Sequence, residues 1–309
     1  MILRGIKELI NGVINIYKEK GYTSADVVAK LRGILHQKKI GHTGTLDPEA
    51  EGVLPVCLGY ATKLVERLTD KRKEYICTIR LGVTTDTEDM TGEVLSENEV
   101  SCSKEDFIKA LQSFKGVYDQ VPPMYSALKQ NGRRLYELAR EGVVVERPAR
   151  RVEIFDMELM EVSMPTAVFR VECSKGTYIR SLCRDIGEKL KCGAAMEKLI
   201  RSRSGEFTLE DALKLSETEA LVKAGEIDSH IVLVEHFYAE CPAVFVLTED
   251  MKLLRNGNPL PLKYAARCED GQLLRVYDDC EKFCAVYRYD ALKGQLRAET
   301  IYELYKWKY

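Results

Sequence analysis

Residues 41–55 read Gly-His-Thr-Gly-Thr-Leu-Asp-Pro-Glu-Ala-Glu-Gly-Val-Leu-Pro, so three glycines and two prolines fix the backbone around one aspartate, Asp47. A rigid, irregular segment of this kind commonly displays a functional side chain. A carboxylate held there can attack an electrophilic carbon or accept a proton. An Asp-Pro step is equally a common turn initiator, and the pair alone leaves both readings open. Gly41-x-x-Gly44 lacks the Gly-Lys-Ser/Thr end of a phosphate-binding loop, and it shares only two glycines with the GxxG of KH domains. Metal chemistry has little support. His36, His42, His230 and His236 form no H-x-x-x-H or H-E-x-x-H, and none of the 10 cysteines forms C-x-x-C. Spread over a long chain, these cysteines read as reduced thiols and small buried hydrophobes. Neither a metal nor a cofactor is expected.

The elements that must position such a loop can be read on both sides of it. Residues 12–17 alternate like a strand, and Thr23 or Ser24 can cap a helix to Leu35 with Val27, Val28, Leu31 and Leu35 on one face. Residues 41–59, rich in Gly, Pro and Thr, read as loop throughout. Residues 75–81 predict a strand with Tyr75, Cys77, Ile79 and Leu81 on one side, and Ser103 to Asp106 resembles a capping box before a helix carrying Phe107, Leu111 and Phe114. Strands follow at 152–162 and 167–173, then a helix from Tyr178 toward Lys191; Thr208 to Asp211 is a second capping signal, for a helix near Ala212. Beyond His230 come short strands at 273–277, 283–289 and 296–302, with an Asn256-Gly257 turn. The expectation is an α+β chain of two domains, 1–232 and 233–309.

With 309 residues, 45% hydrophobic, 30% charged and 8% aromatic, the chain has the profile of a globular protein, which excludes disordered, collagenous and fibrous classes. Its longest apolar runs, such as 243–247, are far short of the roughly 18 residues of a membrane span. The start, MILRGIKELINGV, has no continuous apolar core, so no secretory leader and a cytoplasmic location are expected. The net charge of -2 hides a split: residues 206–309 sum to -6, whereas 129–151 sum to +4 and 170–203 to +5. Basic segments of that kind suit a phosphate backbone, though either alone is as readily a solvated face.

The 41–55 string closely resembles the catalytic motif of the TruB family of pseudouridine synthases, and the resemblance extends in order along the chain. Gly12-Val-Ile-Asn-Ile-Tyr-Lys18-Glu19-Lys-Gly21-Tyr-Thr23-Ser24 is similar to the family's first motif, with Glu19 where a proline is usual. Lys73-Glu-Tyr75 followed by Arg80-Leu-Gly82, Pro122-Pro-Met-Tyr125-Ser-Ala-Leu-Lys129, Lys175-Gly-Thr-Tyr178-Ile-Arg180-Ser-Leu182 and residues 193–203 resemble the others. The stretch Leu254-Arg-Asn-Gly257-Asn-Pro-Leu260 is more loosely similar to a PUA-type RNA-binding domain.

The resemblance implies a pseudouridine synthase fold, a mixed and largely antiparallel sheet flanked by helices, with a small β-rich PUA-like domain after it. It implies isomerisation of a uridine in the T-arm of tRNA, conventionally U55, by an enzyme that needs no cofactor, no membrane and no obligatory protein partner, and acts as a monomer. The C1′–N1 bond must break, the base turn, and C5 join C1′. Asp47 would be the catalytic carboxylate, attacking C1′ or taking a sugar proton to give a glycal. Arg180 would pair with it, since a carboxylate in a dry pocket needs a cation to stay ionised. Tyr75 would stack on the target base and is the candidate for removing the C5 proton; Tyr178 and Leu199 would line the pocket. Flipping the nucleotide out costs a few kcal/mol, and His42 would fill the space left behind. An insertion at about 124–152 would grip the RNA, with Lys18, Lys129, Arg133, Arg134, Arg150 and Arg151 on phosphates. Two other readings remain, a non-catalytic tRNA-binding or folding protein and an RNA-guided rRNA pseudouridine synthase; an intact Asp47, Tyr75 and Arg180 set and a compact tail favour the stand-alone enzyme.

Overall fold

A computed structural model of the protein describes residues 9–265 and 268–302. The first eight residues, part of the start read above for a leader, lie outside the described residues. The described chain opens with β1 (Gly12–Lys18), α1 (Ser24–Leu35), β2 (Ile40–His42) and β3 (Glu51–Leu58). Thr23 caps α1: the Asp26 N–H donates to its Oγ1 at 3.0 Å, and its own N–H donates to the Asp26 carboxylate at 2.9 Å.

β3 overturns the reading of 41–59 as loop throughout. Every residue from Gly52 to Leu58 is buried, so the strand is apolar on both faces and shows no alternation, while Gly52 and Pro55 give it the composition of a loop. Pro55 is tolerated for a positional reason. Its carbonyl accepts from the Thr43 N–H at 3.1 Å, so its nitrogen, which lacks a hydrogen, also points toward β2, just past the end of that short strand.

Next come α2 (Val65–Thr69), β4 (Lys73–Leu81), the hairpin of β5 (Val83–Thr85) and β6 (Val94–Glu97), α3 (Lys104–Gln112) and β7 (Gly116–Gln120). Alternation in β4 is clean, with Tyr75, Cys77, Ile79 and Leu81 buried. An insertion holding β8 (Lys129–Gln130), β9 (Arg133–Arg134) and α4 (Leu135–Arg140) leaves the sheet edge after Gln120 and rejoins it at Arg150, its partner in register. Then follow β10 (Arg150–Ser163), β11 (Thr166–Cys173), α5 (Ile179–Lys189), β12 (Ala194–Ser204), β13 (Phe207–Thr208) and α6 (Leu215–Ala224). The strand order is β1-β3-β12-β4-β11-β10-β7, antiparallel except for β3 with β12.

The helix expected near Ala212 starts later, at Leu215, where the Lys214 N–H donates to the Glu217 carboxylate at 2.7 Å. Thr208 is paired with Arg203 as a strand residue, and the Leu213 N–H is taken by the Asn15 carbonyl at 3.0 Å, so the segment between is tied to the sheet rather than coiled.

A second sheet follows: β14 (Ala243–Phe245), α7 (Met251–Arg255), β15 (Leu260–Pro261), β16 (Leu273–Tyr277), β17 (Phe283–Asp290) and β18 (Gln295–Ile301), in the order β14-β16-β17-β18-β15. Phe283, Val286 and Tyr302 from this part pack with Tyr238 against Val13, Cys57 and Leu64. The opposite side of β1 and β3 is covered by α1 and α6 through Val27, Leu31 and Leu215 on Ile14, Leu54 and Val56. That double cover is why β3 is apolar on both faces. Among the described residues no helix is long and apolar enough to cross a membrane.

Candidate active site

The loop between β2 and β3 is anchored on both flanks. Leu46 N–H donates to the Ser24 hydroxyl at 2.9 Å, and the Pro48 carbonyl accepts from the Gly21 N–H at 2.9 Å and from Lys18 Nζ at 3.1 Å. Asp47 is thereby presented between two fixed neighbours, at the open ends of β1 and α1. Its carboxylate meets Arg180, at the start of α5, with Nε 3.0 Å from Oδ2 and Nη2 3.2 Å from Oδ1. Nη2 donates the hydrogen bond while Nε makes a close ionic contact on the same side of the guanidinium, a side-on ion pair. Burial raises the Asp47 carboxyl above its usual range; Arg180 and Lys18 oppose that rise, and Asp89 adds to it.

Arg180 is itself fixed from three sides. Its side chain is 6% exposed, Nη1 donates to the Thr87 carbonyl at 3.0 Å, and Nη2 donates to the Tyr125 carbonyl at 2.9 Å. Asp89 Oδ2 lies 3.8 Å from Nη1. The turn that supplies Thr87 and Asp89 includes Glu88 at φ 64°, a costly conformation for a residue with a side chain. It is held by Ser181, whose hydroxyl donates to Glu88 at 2.6 Å, and by Arg184. Tyr125, at the root of the insertion, donates from its hydroxyl to Asp86 Oδ2 at 3.0 Å, tying the insertion to the same turn. A cavity of 690 Å³ lies beside this network, among Thr85, Glu88, Met124, Arg147 and Arg184, and Asp47 does not line it.

Tyr75, Leu199 and Leu46, the residue before Asp47, pack in one cluster. Register explains the grouping: β12 lies against β4 so that Leu199 faces Cys77 and Arg201 faces Tyr75. Burial raises the Tyr75 phenol, with Arg201 opposing. Tyr178 is half-buried; its backbone exchanges two hydrogen bonds with the Gln120 side chain, at 2.8 and 3.0 Å, which fixes the start of α5. Burial raises its phenol, opposed by Ser126, Arg150 and Arg180. His42 accepts from the Gly44 N–H at Nδ1, 3.3 Å away. Burial and the charge of Arg201 lower its pKa, and the accepting role of Nδ1 places the hydrogen of the neutral ring on Nε2.

Lys18 is a correction. It was expected on a phosphate, but it is 0% exposed and Nζ is spent on the Glu19 and Pro48 carbonyls at 3.2 and 3.1 Å. Its place at the end of a strand buried on both faces leaves no route to solvent. Burial pulls its pKa down to about 8. Lys129, Arg133, Arg134, Arg150 and Arg151 are exposed. Arg133 pairs with Glu141, Arg134 donates to the Tyr136 hydroxyl at 2.8 Å, and Arg151 lies 3.7 Å from Asp119.

Residue-by-residue reading missed three groups. Arg201, 1% exposed, donates from Nε to the Val53 carbonyl at 2.7 Å and from Nη2 to the Gly44 carbonyl at 3.2 Å, closing the base of the Asp47 loop. Asp89 completes the surroundings of Arg180, and Tyr125 gives that arginine a carbonyl. A signal existed for each: Arg201 and Tyr125 lie inside the family-like motifs, and Asp86, Glu88 and Asp89 crowd three carboxylates into four residues after a strand.

Comparison with known proteins bears on this arrangement. The model of the TruB family pseudouridylate synthase N-terminal domain matches residues 32–179, and that of the tRNA pseudouridylate synthase B C-terminal domain matches 180–237. The tRNA pseudouridine synthase B of Lachnoclostridium phytofermentans is 50% identical over 298 residues, covering 92% of this chain and 97% of that protein. That of Clostridium perfringens is 47% identical over 286 residues (91% and 96%), and that of Bacillus pumilus 43% over 297 (93% and 96%). Among solved structures, a Cbf5-Nop10-Gar1 complex aligns with TM-score 0.68 at 27% identity over 94% of this chain and 85% of that one. An H/ACA RNP bound to a substrate RNA containing 2′-deoxyuridine aligns with TM-score 0.67 at 25% identity over the same shares. With relatives matched almost end to end and Asp47 paired to Arg180 inside the matched regions, the chain belongs to the TruB family of pseudouridylate synthases.

Proposed function

We propose that this protein isomerises a uridine of the tRNA T-arm, position 55, to pseudouridine in the cytoplasm, as a stand-alone monomer without a cofactor. The observation that carries the reading is the ion pair of Asp47 with Arg180 on a rigid loop, in which the guanidinium opposes the rise that burial imposes on the carboxyl. The relatives named tRNA pseudouridine synthase B support tRNA as the substrate over the substrate RNA of the H/ACA RNP, a more distant structural neighbour.

In this reading the flipped uridine stacks on Tyr75 between Leu199 and Tyr178, and His42 takes up space vacated in the loop. Asp47 either attacks C1′, forming an ester bond that breaks when C5 bonds to C1′, or removes the C2′ proton to give a glycal and returns that proton as C5 bonds to C1′. In both routes the C1′–N1 bond breaks and the base turns before C5 is joined. The C5 proton is then lost, with Tyr75 as its candidate acceptor, and N1 is protonated, so nothing is oxidised or hydrolysed overall. Lys129, Arg133, Arg134, Arg150 and Arg151 hold phosphates of the T-arm, and the region from 233 onward acts as a PUA-like RNA-binding domain. The test is to incubate the protein with an unmodified tRNA transcript and map pseudouridine by chemical labelling and primer extension. A single stop at position 55 supports the reading; modification elsewhere, or none with tRNA bound, overturns it.

A further inference from the structure

Arg201 is the largest side chain closed to solvent among the described residues, and no carboxylate of those residues comes within 4.0 Å of its guanidinium. Its bonds to the carbonyls of Val53 and Gly44 could be served equally well by a neutral donor, while its charge and a side-chain hydrogen bond also act on the Tyr75 phenol. An unpaired cation is expensive to bury, so the charge itself calls for a role. The surroundings say where that charge acts. Arg201 faces Tyr75 across the β12–β4 pairing and stands two residues from Leu199. Beyond burial, which dominates each shift, its field disfavours protonation of Lys18, His42 and Lys73. Arg180, by contrast, is neutralised by Asp47, with Asp89 3.8 Å away.

Heterolysis of the C1′–N1 bond leaves the electron pair on the base. A uracil anion therefore occupies the pocket until C5 bonds to C1′; only then does C5 lose its proton and N1 gain one. We propose that Arg201 supplies the positive potential that stabilises this detached uracil anion from behind Tyr75 and Leu199. It is a positioning residue, acting by its field and by holding Gly44 and Val53 rather than by touching the reacting atoms. This rests on the isomerase reading above.

The experiment compares single-turnover consumption of the target nucleoside in T-arm transcripts carrying uridine or 5-fluorouridine, read by nucleoside chromatography after digestion. Fluorine leaves no C5 proton to lose, so with that substrate the readout is the disappearance of 5-fluorouridine as the C5–C1′ bond forms and the fluorine stays on C5. Fluorine makes the base a better anion, so it partly replaces an external cation. Wild type, Arg201→Met and Arg201→Lys are compared, with Arg201→Gln, which keeps an amide donor, where the Met variant does not fold. The neutral variant is expected to lose about 10²–10³-fold with uridine and at least about tenfold less with 5-fluorouridine, while Arg201→Lys keeps the wild-type ratio. Each ratio is taken within one preparation, so a partly misfolded fraction cancels. Equal losses on both substrates would mean a structural staple only and overturn the proposal. A wild type that converts neither transcript sinks the isomerase reading and this inference with it, whereas a converting wild type with equal losses sinks this inference alone.

Discussion

Arg180 grips Asp47 through Nε and Nη2 at 3.0 and 3.2 Å, while the same guanidinium donates to the carbonyls of Thr87 and Tyr125. The charge of the carboxylate and the position of the insertion root are thus read by one side chain. Because burial raises the Asp47 carboxyl and Arg180 opposes that rise, removing the arginine lets the pKa climb further. Activity needs the ionised form and is lost as pH falls through this value. In Arg180→Met the acid limb of the rate profile is expected at higher pH, with a loss of about 10²–10³-fold at its plateau. Single-turnover rates across pH check this, and an unmoved limb would contradict it.

Lys18 gives a stability signature. Its folded pKa of about 8 lies below the ordinary 10.5, so between these values the unfolded chain holds more protons and stability rises with pH. Below about pH 8 both states are charged and the burial penalty stands in full. Lys73, held by the Thr69 and Lys71 carbonyls and also lowered to about 8, adds a second rise in the same window. Buried thiols such as Cys57 and Cys173, pushed up by burial, lose stability in the same window, so the signature of Lys18 is a difference: the urea midpoint of Lys18→Met minus that of the wild type should fall between about pH 7.5 and about pH 9.5. A difference that stays constant across that window would show that Lys18 does not titrate there.

Gly52 has no room for a side chain. A Cβ there would stand 2.3 Å from the Arg201 carbonyl, at φ +104°. Gly52→Ala is expected to cost about 3 kcal/mol or more, whereas Gly21→Ala, at φ +87° with nothing within 4 Å, should cost about 1 kcal/mol. Urea unfolding of both variants measures the difference, and equal losses would mean that strain alone, not the close approach to β12, sets the penalty.

Phosphate contacts have a salt signature. Replacing Arg150 and Arg151 by glutamine should weaken tRNA binding and lower the slope of log K against log salt by about 1 per lost contact, with the bound-state rate unchanged. An unaltered slope would remove these arginines from the RNA interface.

Much of this architecture is legible in the sequence. The alternation of β4, the Thr23 and Ser103 caps and the stripe of α1 are local signals, and the fold keeps them because packing asks for the same pattern. β3 was missed because burial on both faces erases the period that marks a strand, and a glycine and a proline stand inside it. Lys18 was misassigned for a related reason: a lysine reads as surface, and only the covering of β1 on two sides shows otherwise. The Asp47–Arg180 juxtaposition joins residues 133 apart in sequence, which no local pattern reveals, so it entered through resemblance alone. Arg201 stayed hidden because the contacts that hold it are backbone carbonyls brought from two other segments.

The most direct test of the central claim is tritium release from C5-tritiated uridine in an unmodified tRNA transcript, comparing wild type with Asp47→Asn. Release by the wild type and none by the variant, with tRNA bound equally by both, is the expected result. A variant that still releases tritium would contradict the assignment of Asp47 as the catalytic carboxylate.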